Sequence, residues 1–155
     1  MQKNWIGNIP NANLKDYQRG RLYSAEEACL WGELEILSPK QVEDIIYKIS
    51  QWAEINPPKL ILEGNSIAYA TADTICLPIP ITITITVTVT VTVTRTMLFV
   101  AHEMSHVINY NGKNADHHGK YFAGTYLDVV KEFVAENTYY NLKKTFDFYK
   151  VKYFK

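Results

Sequence analysis

Apolar residues in this chain recur mostly at helical spacing, with a few short stretches at strand spacing. Tyr17, Leu22, Ala25 and Cys29 mark one face of a helix from Asp16 to about Trp31, ending near Gly32. A second helix has a clear start: Ser38 caps it, Pro39 suits its first position, and Gln41 completes a capping box. Val42, Ile45, Ile46, Ile49, Trp52 and Ala53 follow at helical spacing until Asn56-Pro57-Pro58 stops the run. Lys59–Glu63 then reads as a short strand, Gly64-Asn65 as a turn, and Ser66–Ala70 as its hairpin partner. Asp73–Leu77 reads as a third strand, ended by Pro78 and Pro80. Residues 97–108 predict an amphipathic helix with Met97, Leu98, Ala101, Met104, Val107 and Ile108 toward a core, stopped by Asn111-Gly112. Asp116 is placed to cap a final long helix that buries Phe122, Tyr126, Val129, Val130, Phe133 and Val134. Residues 1–13 read as a loose arm. The tail from Thr138 onward, rich in Tyr, Phe and Lys, carries no pattern that assigns it a role.

Residues 81–94 break the style of the rest. Ile or Val alternates with Thr without interruption, and Thr96 extends the threonine row. Strict alternation of β-branched residues is a strong strand signal. Read as one strand, the fourteen residues would span roughly 45 Å, far beyond the usual length. No turn residue supplies an apex for a hairpin. The expectation is an extended edge strand over the 81–96 repeat. Such an edge invites self-association through residues 81–94.

Composition narrows the function classes. Sixteen basic and sixteen acidic side chains cancel, so there is no strong nucleic-acid signal, although the last thirteen residues hold five lysines. The two cysteines, Cys29 and Cys76, stand alone and suggest neither a disulfide framework nor a cysteine metal cluster. They read as buried thiols of a cytoplasmic protein. The repeat is apolar only at every second position, so it predicts no membrane span, and the first residues resemble no signal peptide.

The candidate chemistry lies in His102-Glu103-Met104-Ser105-His106. Histidines at i and i+4 share a helix face and can bind one metal ion, while Glu103 stands beside it as general base. All four histidines of the chain fall between residues 102 and 118, where unrelated ones would scatter. A catalytic zinc site takes three protein ligands and leaves the fourth position to water. His117 and His118 are the candidates for the third ligand, with Glu132 and Glu136 as the next pair.

The zinc motif followed by His118-Gly119-Lys120-Tyr121-Phe122 resembles the zincin superfamily and, within it, the SprT-like type of small metallopeptidase domain. That resemblance makes His118 the third ligand, has the next glycine allow close helix approach, and packs Phe122 beneath the site. A closer resemblance is to a little-characterised family of predicted metallohydrolases from actinobacteria and their phages. It is carried by Asp16-Tyr17-Gln18-Arg19, Tyr23-Ser24-Ala25-Glu26, Ala68-Tyr69, Ile75-Cys76-Leu77-Pro78 and the zinc helix through Val129. Within it the threonine repeat reads as an insertion or replacement.

From these features we expect one α+β domain over residues 1–155. It would be a minimal zincin-like arrangement, with a small sheet on the zinc helix, N-terminal helices and a long C-terminal helix. The expected function is a Zn²⁺-dependent hydrolase of bacterial or phage-infected cytoplasm acting on a peptide or protein substrate. His102, His106 and His118 would hold the metal and Glu103 would be the base. The alternative is a zinc-bearing scaffold without turnover, its site closed by His117 or Asp116. Asp16, Arg19 and Glu26 read as packing or ion-pairing residues of the first helix, and Arg95 as a surface partner. Tyr126 reads as core, and Asp116 as a helix cap.

Overall fold

The structure is a computed structural model that describes residues 16–30, 35–63, 68–78, 83–85, 88–90, 96–112 and 116–154. The arm at 1–13, the helix end near Gly32, the Gly64-Asn65 turn and Arg95 lie outside the described residues. The fold is α+β. Its elements run α1 (Arg19–Leu30), α2 (Pro39–Trp52), β1 (Lys59–Glu63), β2 (Tyr69–Ala70) and β3 (Thr74–Pro78). After them come β4 (Ile83–Ile85), β5 (Thr88–Thr90), α3 (Met97–Asn111), α4 (Lys120–Phe133) and α5 (Glu136–Phe148).

Local signals hold where they were strongest. Ser38 Oγ accepts from the Gln41 amide at 3.2 Å and Gln41 Oε1 accepts from the Ser38 amide at 2.8 Å, a complete capping box. Val42, Ile46 and Ile49 of α2 are buried, while Trp52 is exposed at the rim with its ring edge on Phe133. Tyr17 lies ahead of α1 and is exposed. The expected hairpin of β1 with β2 does not form. β3 lies between them, parallel to β1 and antiparallel to β2. Ile75, Cys76 and Leu77 of β3 are fully buried, whereas Leu60, Ile61 and Leu62 of β1 are half-buried, so the most apolar strand takes the centre. The hairpin turn falls one connection later, at Thr71–Asp73, where Thr71 Oγ1 donates to Asp73 Oδ1 at 3.0 Å. The repeat also differs from the expected single long strand. Its described parts pair with each other, Ile83 opposite Thr90 and Ile85 opposite Thr88.

The helix that carries His102 and His106, α3, is central. Every residue from Leu98 to Val107 is buried, so it is enclosed on all sides and not amphipathic. The sheet packs on it through β2 and β3, and α2 and α4 pack around it. Thr96 Oγ1 caps its first turn by accepting from the Phe99 amide, and Asn111 Nδ2 ties its end to the Ala72 carbonyl. The expected long helix is α4, and a further helix, α5, follows it. α4 ends at Phe133, and α5 buries Thr138, Leu142 and Phe146, which gives the unassigned tail its place against α1 and α4. Neither glycine nor proline marks that break, and Lys150, which ends α5, adopts a left-handed φ of 58° where glycine is usual. No helix among the described residues is long and apolar enough to cross a membrane.

The C-terminal segment returns across α4 to α1. Gln18 forms a two-way amide clasp with Lys152, donating to its carbonyl and accepting from its amide, both at 2.8 Å. The Phe154 amide donates to the Lys120 carbonyl, and the segment crosses α4 at Gly124. A Cβ there would lie 3.1 Å from the Phe154 carbonyl oxygen and 3.2 Å from its amide nitrogen. Gly124→Ala is therefore expected to displace this segment and to lower stability by about 1–3 kcal/mol, the usual range for overpacking. A urea midpoint unchanged from that of the parent protein would contradict this account.

Candidate metal centre

One helix and one turn bring the histidines together. α3 carries His102 and His106 one turn apart. The turn at Asp116–Gly119 carries His118 against them. One ligand atom from each of the three lies within 4.8 Å of the others, and all three side chains are buried. His106 Nε2 and His118 Nε2 are 3.2 Å apart. Two nitrogens bound at about 2.0–2.1 Å to one tetrahedral ion would stand about 3.3 Å apart, so the spacing fits a shared metal. Phe122 forms the floor, with its ring centroid 4.2 Å from that of His106 and 5.0 Å from those of His102 and His118.

The outward nitrogens decide the tautomers. His102 Nδ1 lies 2.6 Å from Glu26 Oε2, and His118 Nδ1 lies 2.7 Å from Asp16 Oδ2. A carboxylate only accepts, so each Nδ1 carries a proton and each ring turns Nε2 inward. The Asp16 carboxylate also receives the His118 backbone amide at 3.3 Å, and Glu26 receives the Tyr126 hydroxyl at 2.7 Å. Asp16 and Glu26 belong to the first-helix segment, where the sequence suggests packing or ion pairing; both pair, and their partners are the histidines. Across more than seventy residues of intervening chain, nothing local in the sequence joins Glu26 to His102.

Electrostatics follow from this pairing. Burial opposes the Glu26 carboxylate, yet His102 and Tyr126 together hold its pKa below the ordinary value. Burial likewise opposes a charged His102, but Glu26 holds its pKa raised. Burial and the neighbouring imidazoles push His106 well below 6.5. Burial lowers His118 to about 4 despite Asp16, so His118 is a neutral ring with its Nε2 lone pair directed inward.

The other candidates fall outside the cluster. His117 is buried with a left-handed φ of 55°, and it is not part of the three-histidine group. Glu132 and Glu136 are exposed. Asp116 Oδ2 accepts from the Tyr121 amide at 2.7 Å and the Phe122 amide at 3.4 Å, so it caps α4 from outside the helix. Gly119 is needed for that cap. A Cβ there would lie 2.6 Å from Asp116 Oδ2, so the glycine makes room for this carboxylate and not for another helix. Tyr126 is fully buried, as expected of a core residue, but its hydroxyl also serves Glu26. Sequence reasoning missed Tyr23, whose hydroxyl lies 3.3 Å from His118 Nε2.

No protein-family model, curated protein or solved structure matches this chain. The chemistry of the centre is therefore read from its own geometry.

Titration with Zn²⁺ against a competing chelator tests this arrangement. His118→Ala should abolish tight binding, whereas His117→Ala should keep it. Asp16→Asn and Glu26→Gln should each weaken it about 10–100-fold, the usual effect of removing a partner behind a ligand. Equal loss in His117→Ala and His118→Ala would contradict the assignment.

The metal-free protein should also lose stability in acid. His106, His117 and His118 have folded pKa values below 6.5. Their contribution is complete above that value and is lost as pH falls toward the folded values, about 4 for His118. Glu26, also lowered, acts in the same direction below 4.5. His102 is raised, so its contribution is present below 6.5 and is lost as pH rises through its folded value. The downward shifts of His106 and His118 are the large ones, and the urea midpoint should be lower at pH 5 than at pH 7. A midpoint that rises on acidification would refute this balance.

Proposed function

We propose that this chain is a zinc-dependent hydrolase of the zincin kind, acting on peptide bonds. The observation that carries the reading is the convergence of three buried imidazoles, two of them held by carboxylates, beside the buried Glu103. Such a set is costly to bury unless it holds something. A zinc ion there would lower the pKa of a coordinated water to about 7 and polarise a carbonyl.

The residues around it have separable tasks. His102, His106 and His118 are the ligands. Glu26 and Asp16 fix two of those rings and raise their basicity. Glu103 follows His102 on α3 and is fully buried beside it. In that position it takes a proton from the attacking water and returns it to the leaving amine. Phe122 keeps the floor of the site dry.

A scaffold site would be closed by a fourth protein ligand. Asp116 is engaged with the amides of α4, and His117 lies outside the histidine group, which favours three ligands and an open position. Glu103→Gln separates the readings. It should retain one zinc per chain while hydrolysis of an unstructured protein such as casein falls about 10²–10⁴-fold, the usual share of a general base. Hydrolysis at the parent rate would remove Glu103 from this role.

A further inference from the structure

We propose that Tyr23 is the oxyanion donor of this centre, an inference that rests on the hydrolase reading above. Its hydroxyl lies 3.3 Å from His118 Nε2, the nitrogen directed into the histidine cluster. Its ring packs edge-on against His118 at 5.0 Å and tilted against His102 at 6.0 Å. Unlike the three imidazoles, Tyr23 is only half-buried, so it stands where the cluster meets its outside.

Hydrogen-bond inventory gives this position its meaning. His118 donates Nδ1–H to Asp16, so its Nε2, which also faces His106 Nε2 at 3.2 Å, is an acceptor, and in the contact with Tyr23 the hydroxyl is the donor. That lone pair is also the one a metal would take. Once it is taken, His118 no longer accepts the phenolic proton, and the hydroxyl stands beside the metal position as a donor within reach of an acceptor that enters. For a peptide substrate that acceptor is the carbonyl oxygen, which gains negative charge as the carbon becomes tetrahedral. A neutral donor placed in advance at that point stabilises the transition state more than the ground state.

The placement is not incidental to packing. Tyr23 and Glu26 lie three residues apart on α1, so one helix face presents the hydroxyl to His118 and the carboxylate to His102. Tyr126, the other tyrosine in contact with His102, is fully buried and donates to Glu26, so it is not available for substrate.

Tyr23→Phe keeps the ring and removes only the donor. The test uses the Co²⁺-loaded full chain, with acetohydroxamate as a small oxygen ligand followed by visible absorption. Metal affinity should stay within twofold of the parent, and the hydroxamate dissociation constant should rise tenfold or more. On a cleaved peptide, kcat should fall about 100-fold with KM little changed, as when an oxyanion donor is removed elsewhere. An unchanged hydroxamate constant would overturn the proposal. So would a tenfold loss of metal affinity, which would make Tyr23 a ligand or a structural support. If Tyr23→Phe is poorly folded, Tyr23→Leu with the same pair of titrations applies the same criteria. Parent protein that binds hydroxamate in a Tyr23-dependent way yet cleaves no peptide would sink the hydrolase reading alone. Parent protein that holds metal but excludes hydroxamate would sink both.

Discussion

The pairing of Glu26 with His102 is the constraint on which the rest of the architecture turns. Both groups are removed from water at the centre of the molecule, where an unpaired charge would be prohibitive. The short contact between them, together with the Tyr126 hydroxyl, makes their burial tolerable. It also ties α1 to α3 through one side-chain contact, and it orients the imidazole with its Nε2 turned inward. Breaking such a pair by removing one member commonly costs about 3–5 kcal/mol. The same contact thus serves folding and the site.

The Asp16–His118 pair repeats the device at the other end of the cluster. Asp16 precedes α1 and receives both the ring and the backbone amide of His118, so it holds the turn before α4 as well as its side chain. Two residues on, Gln18 is clasped to Lys152, so the C-terminal segment ties down the chain between Asp16 and α1. An N-terminal helix that touches no candidate ligand in sequence becomes half of the site in space.

Much of this was legible along the chain where local physics decides. The capping box at Ser38, the stop at Gly112 and the i, i+4 histidines all reflect interactions within a few residues. The site triad followed from motif spacing and the grouping of histidines, with resemblance choosing His118. What escaped was of another kind. Strand order was misread because a turn signal at Gly64-Asn65 says nothing about which strand the core will centre, and β3 wins by burial. The helix α5 went unassigned because no capping side chain marks its start, and its burial of Thr138, Leu142 and Phe146 is set by packing against α1 and α4. The described parts of the threonine repeat, 83–85 and 88–90, pair with each other although the sequence marks no apex.

The sequence by itself determined the chemistry available: four histidines within seventeen residues, a glutamate beside the first, and the periodicities that make helices of their surroundings. It determined these because helix geometry converts spacing into direction without help from the rest of the chain. Only the tertiary structure decided what stands behind and above the imidazoles. Glu26, Asp16 and Tyr23 lie 76, 102 and 95 residues from the rings they meet. Such contacts are set by which buried polar groups must be paired once the core closes, a condition that no local window of sequence contains.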